Sequence, residues 1–102
     1  MVKRQQILVI GNNDNGCTPE TEKLAYEVGS QVAKSDSVLI TGGLGGVMRA
    51  ACHGAQDAGG LTVGIIPQND SSLANEFCDI VIPSGLGLMR DFLNALSADG
   101  VI

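Results

Sequence analysis

The stretch from Val38 to Gly46 constrains the fold more than any other part of the chain. Val38-Leu39-Ile40-Thr41 is an unbroken apolar run, the pattern of a strand buried on both faces of a parallel sheet. Gly42-Gly43-Leu44-Gly45-Gly46 follows at once, and Val47, Ala50, Ala51, Gly54, Ala55 and Ala58 then share one helical face. A strand that runs through a glycine turn into a helix lets backbone N–H groups converge on an anion, and the helix start adds partial positive charge. Glycine is required there because a Cβ would obstruct a phosphate oxygen. The turn is not a P-loop, since no Lys-Ser/Thr follows it, and it is not the GxGxxG of dinucleotide folds. The plainer alternative is that these glycines only make a tight turn.

The rest of the chain repeats the strand–helix alternation. Ile7-Leu8-Val9-Ile10 is a buried strand that ends in the polar loop Gly11–Gly16. Thr18-Pro19-Glu20 starts a helix with a capping hydroxyl, a proline at the first position and early acids. Leu24, Val28 and Val32 set the expected inner face of that helix over residues 19–34. Gly59-Gly60 closes the second helix, and Thr62–Ile66 is a third strand stopped by Pro67. Residues 68–78 are polar and irregular, with room for one helical turn. Ile80-Val81-Ile82 is a fourth strand, 88–97 a helix, and Asp99-Gly100-Val101-Ile102 the start of a fifth strand.

This alternation predicts an α/β, three-layer, Rossmann-like fold: a doubly wound parallel sheet of about five strands with helices on both faces. Residues 1–102 form a single domain, with no internal repeat or linker. A natural domain rarely stops on the first residues of a central strand, so the expectation is a fragment, or the ordered part, of a longer protein. In such sheets the ligand lies beyond the carboxyl ends of the strands. Three segments meet there: the Gly11–Gly16 loop, the Gly42–Gly46 turn and the Gly85–Arg90 loop.

Composition narrows the function classes. Six Lys/Arg against eleven Asp/Glu give a net charge of −5, and the basic residues are scattered, so no stripe for nucleic acid is present. No run approaches the length of a membrane span, and the N-terminus carries no signal-like apolar segment. Cys17, Cys52 and Cys78 are odd in number and widely spaced, which argues against a disulfide framework or a zinc site and for a reduced cytoplasmic setting. Only Tyr26, Phe77 and Phe92 are aromatic, so the core is built from small aliphatics.

The candidate ligand-binding residues are Gly11, Asn12, Gly42, Gly43, Gly45, Gly46, Val47, Met48, Arg90 and Asn94. Arg90 could pair a phosphate or carboxylate, and the asparagines suit ribose hydroxyls or a base edge. His53 is expected in helix packing or on the surface, Cys52 and Cys78 near the core, and Cys17 in a loop. No Ser-His-Asp set, carboxylate pair or metal-ligand spacing stands out, so no catalytic residue or metal site is assigned.

From Gly42 to Ala51, through Gly54-Ala55 and Ala58–Pro67, and again at Gly85-Leu86-Gly87 and from Arg90 to Asp99, the chain resembles the LOG / lysine-decarboxylase-like superfamily. Within it, the chain is most similar to the molybdenum cofactor carrier protein-like branch. The resemblance also takes in Gly11 and the first helix. It implies an oligomeric Rossmann-like protein that binds a nucleoside monophosphate or a molybdopterin-type cofactor. LOG enzymes hydrolyse the N-glycosidic bond of nucleoside 5′-monophosphates. Here, however, Asp91 stands where their Arg-Lys pair has lysine, and their PGGxGTxxE motif, with its glutamate, has no counterpart in the 102 residues. The expectation is therefore a binding module for a small, phosphate-bearing ligand, working as a homo-oligomer. Phosphoribohydrolase activity is the alternative if a longer protein supplies the missing motif. An inactive interaction domain is the third.

Overall fold

In the computed structural model, which describes residues 4–87 and 98–102, the apolar runs lie side by side as one parallel sheet. Its strands are β1 (Gln6–Leu8), β2 (Val38–Thr41), β3 (Thr62–Ile66), β4 (Ile80–Pro83) and β5 (Gly100–Val101), in the order β4-β3-β2-β1-β5. The register sets Leu8 against Ile40 and Val101, Ile40 against Val63, and Ile65 against Ile82. Two helices join the first three strands, α1 (Pro19–Lys34) and α2 (Val47–Asp57). Right-handed crossovers that step in one direction put both on the same face. The expected α/β Rossmann-like architecture is the one found. The helix expected over 88–97, and with it Arg90 and Asn94, lies outside the described residues.

Local chemistry starts and stops the elements where the sequence indicates. The Thr18 hydroxyl accepts a hydrogen bond from the Thr21 amide at 3.2 Å, and Pro19 opens α1. Past Lys34 the chain turns through Asp36 at φ +57°, a left-handed conformation that aspartate tolerates. The irregular 68–78 segment carries one 3₁₀ turn, Ser71–Leu73. β1 is shorter than its apolar run, although the Val9 amide still donates to Ile40 and the Ile10 amide to Ile102.

The inner face of α1 differs from the expected one. Ala25, Gly29 and Val32 are buried, Val28 is only partly covered, and Leu24 is 61% exposed. The cause is how closely α2 crosses α1. A Cβ on Gly29 would overlap the carbonyl oxygen of Ala51, and one on Gly54 would overlap that of Tyr26. Two backbones in direct contact leave no room for a leucine. Leu24 instead borders a groove of about 770 Å³ between α1, β1 and β5, together with Ile7, Val28, Val101 and Ile102.

Alternation along the strands divides the core in two. Leu39 and Val9 face the helices with Ala51, Cys52 and Ala55, while Leu8, Ile40 and Ile65 cluster on the other face. Among the described residues no helix is long and apolar enough to cross a membrane.

Candidate functional site

The strand order reverses at β1, so the switch point of the sheet lies at the carboxyl ends of β1 and β5. A cleft of about 300 Å³ opens there, lined by Val9, Ile10, Gly11, Asn12, Val47 and Ile102, with α1 side chains behind. The glycine turn lies beside it, covered by the Asn12–Asp14 segment, and only Val47 at the helix start reaches the lining. The structure therefore brings Gly11, Asn12 and Val47 together, beside Gly45 and Gly46. Gly42 and Gly43 lie buried beneath them. Met48 is 6% exposed and packs inward, so only its backbone could meet a ligand.

Three constraints shape the turn. The Gly43 amide donates to the Thr41 hydroxyl at 3.0 Å, at φ +76°, and a Cβ there would press on Ile66. Gly46 caps α2 at φ +60°, and a Cβ on it would strike the backbone of Asn12 and Asn13. Behind the turn, Asn75 donates from its amide to Gly43 O at 2.8 Å and from its side chain to Leu44 O at 2.9 Å.

The amide donors of this turn are not idle. The Gly45 amide donates to Asn13 Oδ1 at 2.9 Å, the Gly46 amide to Asp14 Oδ1 at 2.8 Å, and the Val47 amide to the Asn12 carbonyl at 2.9 Å. The Asn12–Asp14 segment thus sits on the start of α2, and a carboxylate occupies the place where the sequence leads one to expect a phosphate. Nothing in the local sequence announces this, because the partners are 32 residues apart. The contact has two consequences. It shows that the turn accepts an anionic oxygen at hydrogen-bonding distance. It also means that an incoming anion must compete with Asp14.

A second feature that sequence reasoning missed is Arg49. Its side chain shares a small depression of about 90 Å³ with Asp14, Cys17, Glu22 and Gly46. It pairs with Glu76 and lies 4.8 Å above the Phe77 ring. The hydrogen bond from Arg49 holds the Glu76 carboxyl below its ordinary range. Among the described residues Arg49 is the one cation lining that depression, and its charge is already met by Glu76.

His53 packs as expected. It stacks on Phe77 at 4.1 Å, meets Tyr26 edge-on at 5.2 Å, and places Nε2 3.3 Å from Asp57. Among the described residues no group of three or more His, Cys, Asp or Glu could hold a metal ion.

Known proteins share this fold. The model of the SLOG cluster4 family matches residues 4–102. An uncharacterized protein of Archaeoglobus fulgidus is 44% identical over 101 residues, covering 99% of this chain and 65% of that protein. The structure of a molybdenum cofactor binding protein from Rippkaea orientalis superposes with a TM-score of 0.94 at 39% identity, covering 99% of this chain and 62% of that one. The Moco carrier protein of Chlamydomonas reinhardtii gives a TM-score of 0.88 at 37% identity, with coverages of 97% and 60%. The chain thus spans somewhat under two thirds of the length of these relatives.

Proposed function

The chain belongs to the SLOG cluster4 family, and from that premise we propose that it binds molybdenum cofactor, a pterin bearing a phosphate, as a carrier or binding module. The observation that carries the reading is the likeness to the Rippkaea orientalis cofactor-binding protein, at 39% identity over 99% of this chain. The carboxyl edge supplies the matching chemistry. Gly11 and Asn12 form one wall of the cleft, Gly45, Gly46 and the Val47 amide at the start of α2 would face the phosphate, and Gly42, Gly43 and Met48 back them from the buried side. Arg90 and Asn94 are further proposed contacts, from the sequence alone.

In this reading the cofactor's phosphate takes over the Gly45 and Gly46 amides from Asn13 and Asp14. Donors fixed by a turn and a helix start need little reorganisation to receive it. Arg49 would offset part of the incoming charge once Glu76 releases it. Exposed apolar side chains, Leu24, Val101 and Ile102 along the groove and Ile10 in the neighbouring cleft, favour association with further copies in a cytoplasmic homo-oligomer.

The test is direct. Cofactor released from a molybdoenzyme is mixed anaerobically with the protein and passed through gel filtration. Pterin fluorescence in the protein fraction is expected. Pterin found only in the small-molecule fraction, with the protein folded, contradicts the proposal.

A further inference from the structure

Behind the glycine turn, Cys52 of α2 and Cys78 of the segment before β4 bring their sulfurs to 4.0 Å. Cys52 has no exposed surface, whereas Cys78 is only partly buried. The Thr41 hydroxyl lies 3.3 Å from Cys52 Sγ, and Cys78 Sγ presses on Gly64, where a Cβ would come within 2.6 Å of it. Neither thiol takes part in the cleft described above. The segment that carries Cys78 nonetheless braces the turn: the Cys78 amide donates to Asn75 O at 3.3 Å, and Asn75 in turn holds Gly43 and Leu44.

We propose that Cys52 and Cys78 form a reversible thiol–disulfide site, open to low-molecular-weight disulfides at Cys78 and linked through Asn75 to the glycine turn. The chemistry balances in two exchanges. The Cys78 thiolate attacks one sulfur of the small disulfide; that S–S bond breaks, and one small thiolate leaves with the electron pair and takes up a proton. Cys52 then attacks the Cys78 sulfur, a second small thiolate leaves, and it takes the remaining thiol proton. The two cysteines together lose two electrons, and the small disulfide becomes two thiols.

At rest, hydrogen bonds from Cys78 and from Thr41 hold the Cys52 pKa below its ordinary value, against burial, and that of Cys78 is correspondingly raised. Exchange begins at Cys78 because this sulfur reaches solvent, where its proton is lost and then matched by the proton that the first departing small thiolate takes up. Closing the bond brings the sulfurs from 4.0 Å to about 2.0 Å. Where the Cys78 segment advances on α2 to close that gap, it draws Asn75 with it.

The test uses oxidised glutathione on the folded protein, followed by acid quench, denaturation and thiol counting. All three thiols titrate beforehand. After oxidation one is expected to remain, Cys17, with peptide mapping joining Cys52 to Cys78. Amide hydrogen exchange over residues 42–46 is expected to change at least about threefold on oxidation. The Cys78→Ser variant is expected to keep both Cys17 and Cys52 titratable. Three remaining thiols in the oxidised wild type, or a disulfide that includes Cys17, overturns the site. A Cys52–Cys78 disulfide that leaves exchange over the turn unchanged overturns the link. None of these readouts depends on cofactor binding.

Discussion

Glycine does two different jobs in this chain, and the α1–α2 crossing and the Gly42–Gly46 turn separate them. At the crossing, Gly29 and Gly54 are helical, and each is needed because a carbonyl of the other helix fills the space of its Cβ. In the turn, Gly43 and Gly46 adopt positive φ, while Gly45 keeps an ordinary backbone and is close to a side chain, that of Asp14. The first region is tightly packed because backbone meets backbone. The second is held differently, because a polar loop sits on its amides, and in the proposed function a ligand displaces that loop. A small-residue stripe therefore marks packing, whereas a glycine turn marks donors whose partner must be found elsewhere in the fold.

The sharpest break of this contrast is Gly54→Val. A Cβ there meets the Tyr26 carbonyl, which cannot yield without separating the helices. Replacing a helical glycine by alanine gains about 1 kcal/mol of helix propensity and by valine only a few tenths, whereas overpacking costs typically about 1–3 kcal/mol and more where backbone must shift. The expected outcome is a protein that fails to give a cooperative thermal transition; a Tm equal to wild type contradicts the close crossing. Gly45→Val is expected to keep the fold, since Asp14 is a side chain that can move aside. It is expected to lower cofactor affinity at least tenfold, about 1.4 kcal/mol, measured by anaerobic titration.

Asp14→Ala tests the competition itself. Loss of a capping carboxylate costs about 1 kcal/mol of stability, while freeing the Gly46 amide is expected to tighten phosphate binding several-fold. Opposite signs in melting and in affinity are the signature. If affinity falls with stability, Asp14 is instead part of the ligand site.

The smallest effect concerns the far end of the helix pair. Tyr26 is the chain's single tyrosine, and its hydroxyl donates to Asp57. That bond holds its pKa above the ordinary value. Whatever stability the bond contributes is complete below the unfolded tyrosine pKa, about 10, and is lost as pH rises through the folded value. Ultraviolet titration is expected to show ionisation above that of free tyrosine, and Asp57→Asn to bring it back down.

Much of the fold was legible because the apolar runs at 38–41 and 62–66 have the length and pattern of buried strands, and Thr18-Pro19 marks a helix start that tolerates little else. The α1 face was legible in part: periodicity aligns Leu24, Val28 and Val32, of which Val32 is buried and Val28 packs on the core, but it does not show that the crossing with α2 runs over Tyr26 and Gly29. The turn was legible as a donor cluster. Its occupants, Asn13 and Asp14, were not, and neither were the Cys52–Cys78 contact or the place of Arg49, since each depends on partners far apart in the chain.

The central claim is that the Gly45–Val47 amides receive the cofactor's phosphate in place of the Asn12–Asp14 segment. An ¹⁵N-labelled sample titrated anaerobically with cofactor tests it most directly. The account predicts saturable shifts at the Gly45, Gly46 and Val47 amides together with the Asp14 amide. Binding that moves a distant set of resonances and leaves these four in place contradicts it.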